Sequence, residues 1–414
     1  MSTTTTIPSV LPDLTTYLGK APKLSNSVPQ SPVGKQAASS EKTGTAATEK
    51  VEPVCRATHD YKIPGEDTKN YSVLLNKKED LQMVEIPVPK PAKGEVQLQV
   101  KATGICGSDV HTWKHGAIGI FEVTEPIILG HESMGIVTEV GEGVTNLKVG
   151  DRVAIEAGIP CSECDQCLTG HYNLCPDVLF KSTPPHHGVL ANYITHPARW
   201  LYKLPDTVSD EEGALLEPLS VAIAACERAG VRFGKSLLIC GSGPIGLIVL
   251  AVARAIGVGP IIITDMQESR LEYARKMGAD FTYKVDPTKK DVEVAKEIRA
   301  MMGTAPDYSL ECTGVESSFR SAIMATRDGG CCCMVGVGKN DQLLPVNSFA
   351  MREVDIKGLF RYHHTYPTAI SLIAGGKVDI KHLVTHRFDF KDSLQAFEIA
   401  SDYRTGAIKV QIFN

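Results

Sequence analysis

Between about Tyr71 and Ile155 apolar and polar positions alternate in short runs broken by proline and glycine. Val96, Leu98 and Val100 stand two apart, so their side chains share one face of an extended strand. The run "GIVTEVGEGVTNLKVGDRVAI" continues the pattern, with turn signals at Gly141, Gly143 and Gly150-Asp151. These features predict short strands of an all-β region. After Glu217 the texture changes. "SLLICGSGPIGLIVLAVARAIGVGPIIITD" holds an apolar strand, a glycine turn, an apolar helix and a second apolar strand. Continuous apolar strands alternating with helices predict a parallel sheet covered on both faces. The alternation runs on past "YSLECTG" and "GGCCCMVGVG", and the chain leaves this layer near Arg361. No fixed-period repeat is present.

The first 50 residues break both patterns. They are rich in Ser, Thr, Pro and Lys, contain no Arg and lack the continuous apolar core of a secretory signal. This composition predicts a disordered tail, reaching to about residue 62. The full 414 residues suit two or three domains, and 43% hydrophobic residues can bury a large core. The net charge of -5 weighs against a nucleic-acid partner. No run of 18 apolar residues predicts a membrane helix. The expected location is the cytoplasm, where twelve cysteines are reduced thiols or metal ligands rather than disulfides.

Gly241, Gly243 and Gly246 form G-x-G-x-x-G between a predicted strand (Leu237 to Cys240) and a predicted helix from Pro244. The first glycine permits the tight turn, the second lets backbone approach a pyrophosphate, and the third allows close helix–strand packing. The helix N-terminus, from Pro244 and Ile245 onward, offers free N–H groups to phosphate. Asp265 ends the next strand, where a carboxylate binds the ribose hydroxyls and repels a 2′-phosphate, favouring NAD over NADP. A strand-end Asp that only caps a helix is the bland alternative. Arg270, in the following helix, is either an adenine neighbour or an ordinary surface charge.

Cys161, Cys164, Cys167 and Cys175 follow the spacing C-x2-C-x2-C-x7-C. Such gaps let one loop wrap a tetrahedral zinc ion with four thiolates, a closed and therefore structural site. An iron–sulfur cluster is the rival, but the bacterial ferredoxin run has a third gap of three residues, not seven. Four free thiols on a loop are the remaining alternative. By contrast Cys331, Cys332 and Cys333 are expected to be small apolar residues of a buried strand. His186 and His187 in "PPHHG" are expected in a solvated loop. His363 and His364 belong either to a pocket rim or to a substrate contact.

A second set of ligand types is scattered: Cys106, Asp109 and His111 in "GICGSDVHTWKHG", His131 and Glu132 in "ILGHESMG", and Glu217 in "GALLEPLSVA". Each piece is weak alone. Together with "GDRVAIE", the four-cysteine loop, "GSGPIG", "ECTGVESS", "REVDIKGLFRY" and "VTHRF", they make the chain resemble the zinc-dependent medium-chain alcohol and polyol dehydrogenases. The resemblance covers about residues 71 to 414 and is strongest to the sorbitol and fungal L-arabinitol branch.

That resemblance implies an α/β architecture: a GroES-like β-rich catalytic domain (63–219, with a return over 362–414) interrupted by a Rossmann doubly wound NAD-binding domain (220–361). It implies two zinc ions per subunit and a homotetramer. It places a catalytic zinc at Cys106, His131 and Glu132, with Glu217 binding directly or through water. Asp109 would hold the His131 ring. Ser108 and His111 would pass the substrate proton outward. Val335, Leu359, Phe360 and Arg361 would meet the cofactor, and Thr112, Glu217, Arg361 and Tyr362 the polyol. The implied reaction is NAD-dependent oxidation of a polyol to a ketose. Other zinc alcohol or threonine dehydrogenases, and a non-catalytic nucleotide-binding protein, are the alternatives. Two departures touch substrate preference: Thr112 replaces the family's aromatic residue, and "IEAG" stands for "IEPG".

Overall fold

The computed structural model describes residues 60–414. Apart from its last three residues, Asp60 to Lys62, the expected tail lies outside them. Lys62 is already tied to the body, its amide donating to Gln99 Oε1 at 2.9 Å.

Two sheets organise the described chain. The first has seven strands in the order Leu201–Lys203, Arg152–Ile155, Glu132–Val140, Glu95–Gly104, Lys409–Phe413 and Val384–Asp389, with Tyr193–Pro197 also pairing with Glu95–Gly104. Val96, Leu98 and Val100 are fully buried, as their period-two spacing predicts. Gly104 lies opposite both Glu132 and Gln411. The last strand therefore crosses back to the first half of the chain beside Glu132.

The second sheet has six parallel strands. Their spatial order is Phe281–Lys284, Ile261–Asp265, Leu237–Cys240, Tyr308–Glu311, Cys331–Met334 and Asp355–Gly358. In chain order this is 3-2-1-4-5-6, the doubly wound arrangement whose crevice lies where the order reverses. Leu237 to Cys240 and Ile261 to Ile263 are buried, as both faces are covered by helices. Cys331, Cys332 and Cys333 are buried in their strand, their thiols pushed up by desolvation. They behave as small core residues, as expected. The helix Leu216–Ala229 packs against the second sheet and carries Glu217 in its first turn.

Candidate metal and nucleotide sites

Cys106 is the N-cap of the helix Gly107–His115, and Asp109 occupies the third helical position. The Asp109 carboxylate reaches back to the Cys106 amide at 3.3 Å. Such reciprocal capping fixes the thiol's direction. Asp109 also accepts from Ser182 Oγ at 2.6 Å and lies 3.2 Å from His131 Nδ1. With Nδ1 held, His131 can turn its other nitrogen to a metal. The ligand atoms of Cys106, His131 and Glu132 lie within 4.8 Å of one another. His131 and Glu132 are buried and Cys106 is half-buried. Thiolate, imidazole and carboxylate on three residues suit a zinc ion with an open position.

Lys409 is buried at 3% exposure, pairs with Glu132 Oε2 and donates to the Ile105 carbonyl at 3.0 Å. It compensates carboxylate charge that burial would otherwise penalise. A side chain at Gly104 would collide with the same Glu132 oxygen, so only glycine leaves this carboxylate its place. Glu217 is also buried. Desolvation pushes its pKa up to about 7, against the pull of His131 and with a further push from Glu132.

The four-cysteine loop differs in kind. Its S···S separations are 3.5 Å (Cys164–Cys167), 3.6 Å (Cys161–Cys175) and 3.9 Å (Cys161–Cys167). Tetrahedral Zn–S bonds of about 2.3 Å imply edges of about 3.8 Å. The sulfurs thus fit one ion and stand too close for several irons between them. Amides of Glu163 and Cys164 point at the Cys161 sulfur and lower its pKa to about 7, favouring the thiolate that a metal needs.

At the glycine turn Gly241 has φ 97°, a conformation open to glycine. A β-carbon on Gly246 would strike the Gly241 carbonyl, whereas one on Gly243 would meet only Arg270 Nη1 at 3.8 Å. The middle glycine thus faces free space, as a phosphate approach requires. Pro244 and Ile245 open the helix Pro244–Ile256, whose N-cap Gly243 offers no side chain to its amides. Asp265 ends its strand and is oriented by the amides of Ser242 and Gln267, at 2.9 and 2.8 Å. Val335 follows the strand Cys331–Met334, and its amide donates to Glu311 at 2.8 Å. Leu359 bonds to the Met334 carbonyl at 3.0 Å, and Phe360 is 41% exposed.

Tyr362 is buried and Arg361 half-buried beside the group of Cys106, His131 and Glu132. The Arg361 guanidinium lies 3.6 Å from the Phe180 ring centre and 6.0 Å from that of Phe121, and donates to Thr183 Oγ1 at 3.1 Å. Burial lowers its pKa to about 10. The Phe180 ring also lies 5.8 Å from His131 and 6.5 Å from Tyr362. It joins the metal cluster to the arginine. The Tyr362 hydroxyl is buried and has no regular hydrogen-bond partner among the described residues. Ser108 is partly exposed in the first turn of its helix. His111 is exposed, with Nδ1 2.8 Å from the Ala117 carbonyl. Thr112 is buried at 1% exposure and so presents no open wall. His187 is exposed but does more than face solvent: Nδ1 accepts from the Ile128 amide at 3.2 Å.

Sequence reasoning missed Lys409, Ser182, Phe121, Phe180 and Thr183. The one available signal was a lysine in the mostly apolar terminal run "IKVQIF".

Comparisons with known proteins agree with this geometry. Residues 92–206 match the family model of the alcohol dehydrogenase GroES-like domain, and residues 244–375 match that of the zinc-binding dehydrogenases. The chain is 48% identical to sorbitol dehydrogenase of Gallus gallus, over 80% of this chain and 93% of that protein. It is 52% identical to L-arabinitol 4-dehydrogenase of Aureobasidium melanogenum, over 78% of this chain and 88% of that protein. Among solved structures, the 2R,3R-butanediol dehydrogenase of Bacillus subtilis aligns with TM-score 0.74 at 31% identity, over 83% of this chain and 99% of that one.

Proposed function

The chain belongs to the zinc-binding alcohol dehydrogenase family, and from that premise we propose that it oxidises an acyclic polyol of the sorbitol, xylitol or L-arabinitol type to the ketose, with NAD as oxidant. The observation that carries the proposal is the meeting of Cys106, His131 and Glu132 with three polar groups, the buried Glu217 and Tyr362 and the half-buried Arg361. A simple alcohol needs no such set, whereas a substrate with several hydroxyls does. The names of the sorbitol and L-arabinitol relatives support the same substrate class.

Bound zinc would supply Lewis acidity and bound NAD would accept the hydride. Cys106, His131 and Glu132 would hold the catalytic ion, with Glu217, which stands outside that close group, completing it directly or through a water, and Cys161, Cys164, Cys167 and Cys175 would hold a structural one, giving two per subunit. Asp109 keeps the His131 ring turned, and Lys409 keeps the Glu132 carboxylate in reach. Glu217, buried beside these residues, accepts hydrogen bonds from the polyol at its carboxylate. Ser108 starts the outward proton path and His111 ends it. His111 Nδ1 must carry hydrogen to bond the Ala117 carbonyl, so in the neutral ring Nε2 is the acceptor. The Arg361 guanidinium and the Tyr362 hydroxyl orient the remaining hydroxyls. Gly241, Gly243, Gly246 and the first turn from Pro244 cradle the pyrophosphate. Asp265 takes the adenosine ribose, with Arg270 beside it. Val335, Leu359 and Phe360 line the nicotinamide end.

No described helix is long and apolar enough to cross a membrane. A cytoplasmic homotetramer completes the proposal. The test is a panel of sorbitol, xylitol, L-arabinitol, galactitol, threonine and ethanol with NAD and with NADP, scored by kcat/KM. The proposal expects polyols with NAD to lead by at least tenfold. Threonine or ethanol leading would overturn it.

A further inference from the structure

The four-cysteine loop makes contacts beyond its sulfurs. Just before Cys175 the chain makes a single 3-10 turn, Tyr172–Leu174. Asn173 Nδ2 donates to the Phe360 carbonyl at 2.8 Å. The His364 amide donates to the Tyr172 hydroxyl at 2.7 Å. That hydroxyl donates in turn to Glu156 Oε1 at 2.6 Å, and Tyr202 occupies the other Glu156 oxygen at 2.7 Å. Glu156 is buried at 1% exposure, so the chain of bonds has a fixed anchor. The Tyr172 and His364 rings meet edge to face with centres 4.8 Å apart.

The segment fastened at these two points is strained. Arg361 has φ 57° and His364 φ 55°, the left-handed region that side chains with a β-carbon rarely adopt. Such backbone persists only where its surroundings over-determine it. One fastening sits on the residue before Arg361 and the other on His364 itself. Between them lie Arg361 and Tyr362, the two groups assigned above to the polyol hydroxyls.

We propose that Tyr172 and Asn173 are positioning residues: the turn ahead of Cys175 clamps residues 360–364 in the strained form that aims Arg361 and Tyr362 at the substrate. The effect on catalysis rests on the polyol assignment; the clamp itself does not. The four-cysteine loop then serves the active centre as well as the stability of its own lobe. A ligand set on one loop reaches substrate geometry through two of the loop's side chains, which bond backbone groups 187 and 192 residues further along the chain.

The test uses the full chain with its metals, in four variants: Asn173→Ala, Asn173→Asp, Asn173→Gln and Tyr172→Phe. Hydrogen exchange of the peptide spanning 359–366 is followed without substrate. The clamp predicts about tenfold faster exchange in Asn173→Ala and Tyr172→Phe, the scale of one lost hydrogen bond. Asn173→Asp keeps the shape but loses the donor, so it should match Asn173→Ala. Asn173→Gln keeps the donor and should recover part of the protection. Steady-state kinetics should show the polyol KM rising several-fold while the melting temperature and metal content of the Asn173 variants hold. Unchanged exchange over 359–366 in both Asn173→Ala and Tyr172→Phe would overturn the clamp. So would a polyol KM that moves only in step with lost metal or lost stability, which would make the turn merely structural. If the unmodified protein oxidises no polyol, the substrate assignment fails alone, and the exchange result still decides the clamp.

Discussion

Two clusters of side chains that could each hold a metal ion stand in one molecule, and their differences bear on what each can do. Cys106 and the adjacent pair His131 and Glu132 come from two separate segments, mix three donor types and are surrounded by further polar groups: Asp109, Lys409 and Glu217. The four cysteines come from one loop, offer only sulfur and are largely half-exposed. A closed thiolate set saturates an ion, while three mixed donors leave it a coordination position for chemistry. The surrounding groups fit that division. Buried carboxylates beside the first cluster can move protons or hold an ion. Backbone amides at the second only steady sulfurs.

The comparison predicts opposite consequences for losing one cysteine from each. Cys106→Ala should lower kcat by on the order of a thousandfold or more, because several kcal/mol of Lewis-acid stabilisation is lost. Its melting temperature should hold. Cys164→Ala should lower the melting temperature by roughly 5–10 °C, since metal binding there is folding energy. Its polyol KM should also rise through the Tyr172–Asn173 turn. Calorimetry and initial rates on both variants check the pair, and a reversed pattern would exchange the two assignments.

Asp265→Ser tests the nucleotide end, which the metal clusters leave untouched. Preference for NAD over NADP should narrow by roughly 10–100-fold, because like-charge juxtaposition costs several kcal/mol. Equal use of both cofactors by the unmodified protein contradicts the role of Asp265. Gly104→Ala sharpens the contrast between clusters by crowding one alone. Its β-carbon would displace the Glu132 carboxylate, an overpacking cost of about 1–3 kcal/mol. A chelator should then strip one zinc faster while the four-cysteine ion stays. The smallest effect is expected for Tyr362→Phe. Removing a buried hydroxyl without a regular partner should raise stability by about 1 kcal/mol, while the polyol KM rises. A fall in both stability and KM would show that the hydroxyl is structural.

Local spacing made much of this molecule legible. Gly241, Gly243 and Gly246 announced the turn because backbone approach demands those positions. The cysteine spacing announced its loop because one ion closes it. Val96, Leu98 and Val100 announced a strand through period two. What stayed hidden depends on register between distant segments. Lys409 reaches Ile105 across 304 residues because the last strand lies beside Gly104. Nothing local in "IKVQIF" indicates that partner. Phe180, Phe121 and Thr183 gather round Arg361 only after the sheets have formed. Family resemblance alone places Thr112 in the pocket, yet the helix Gly107–His115 buries it.

The central claim is that one chain holds two zinc ions of different character, one of which turns over polyols. Elemental analysis of gently purified protein, with polyol-dependent NAD reduction measured on the same sample, tests it most directly. The account predicts two zinc ions per chain in active protein, and one in inactive but folded Cys106→Ala. One zinc or fewer in fully active protein, or iron with sulfide, would contradict it.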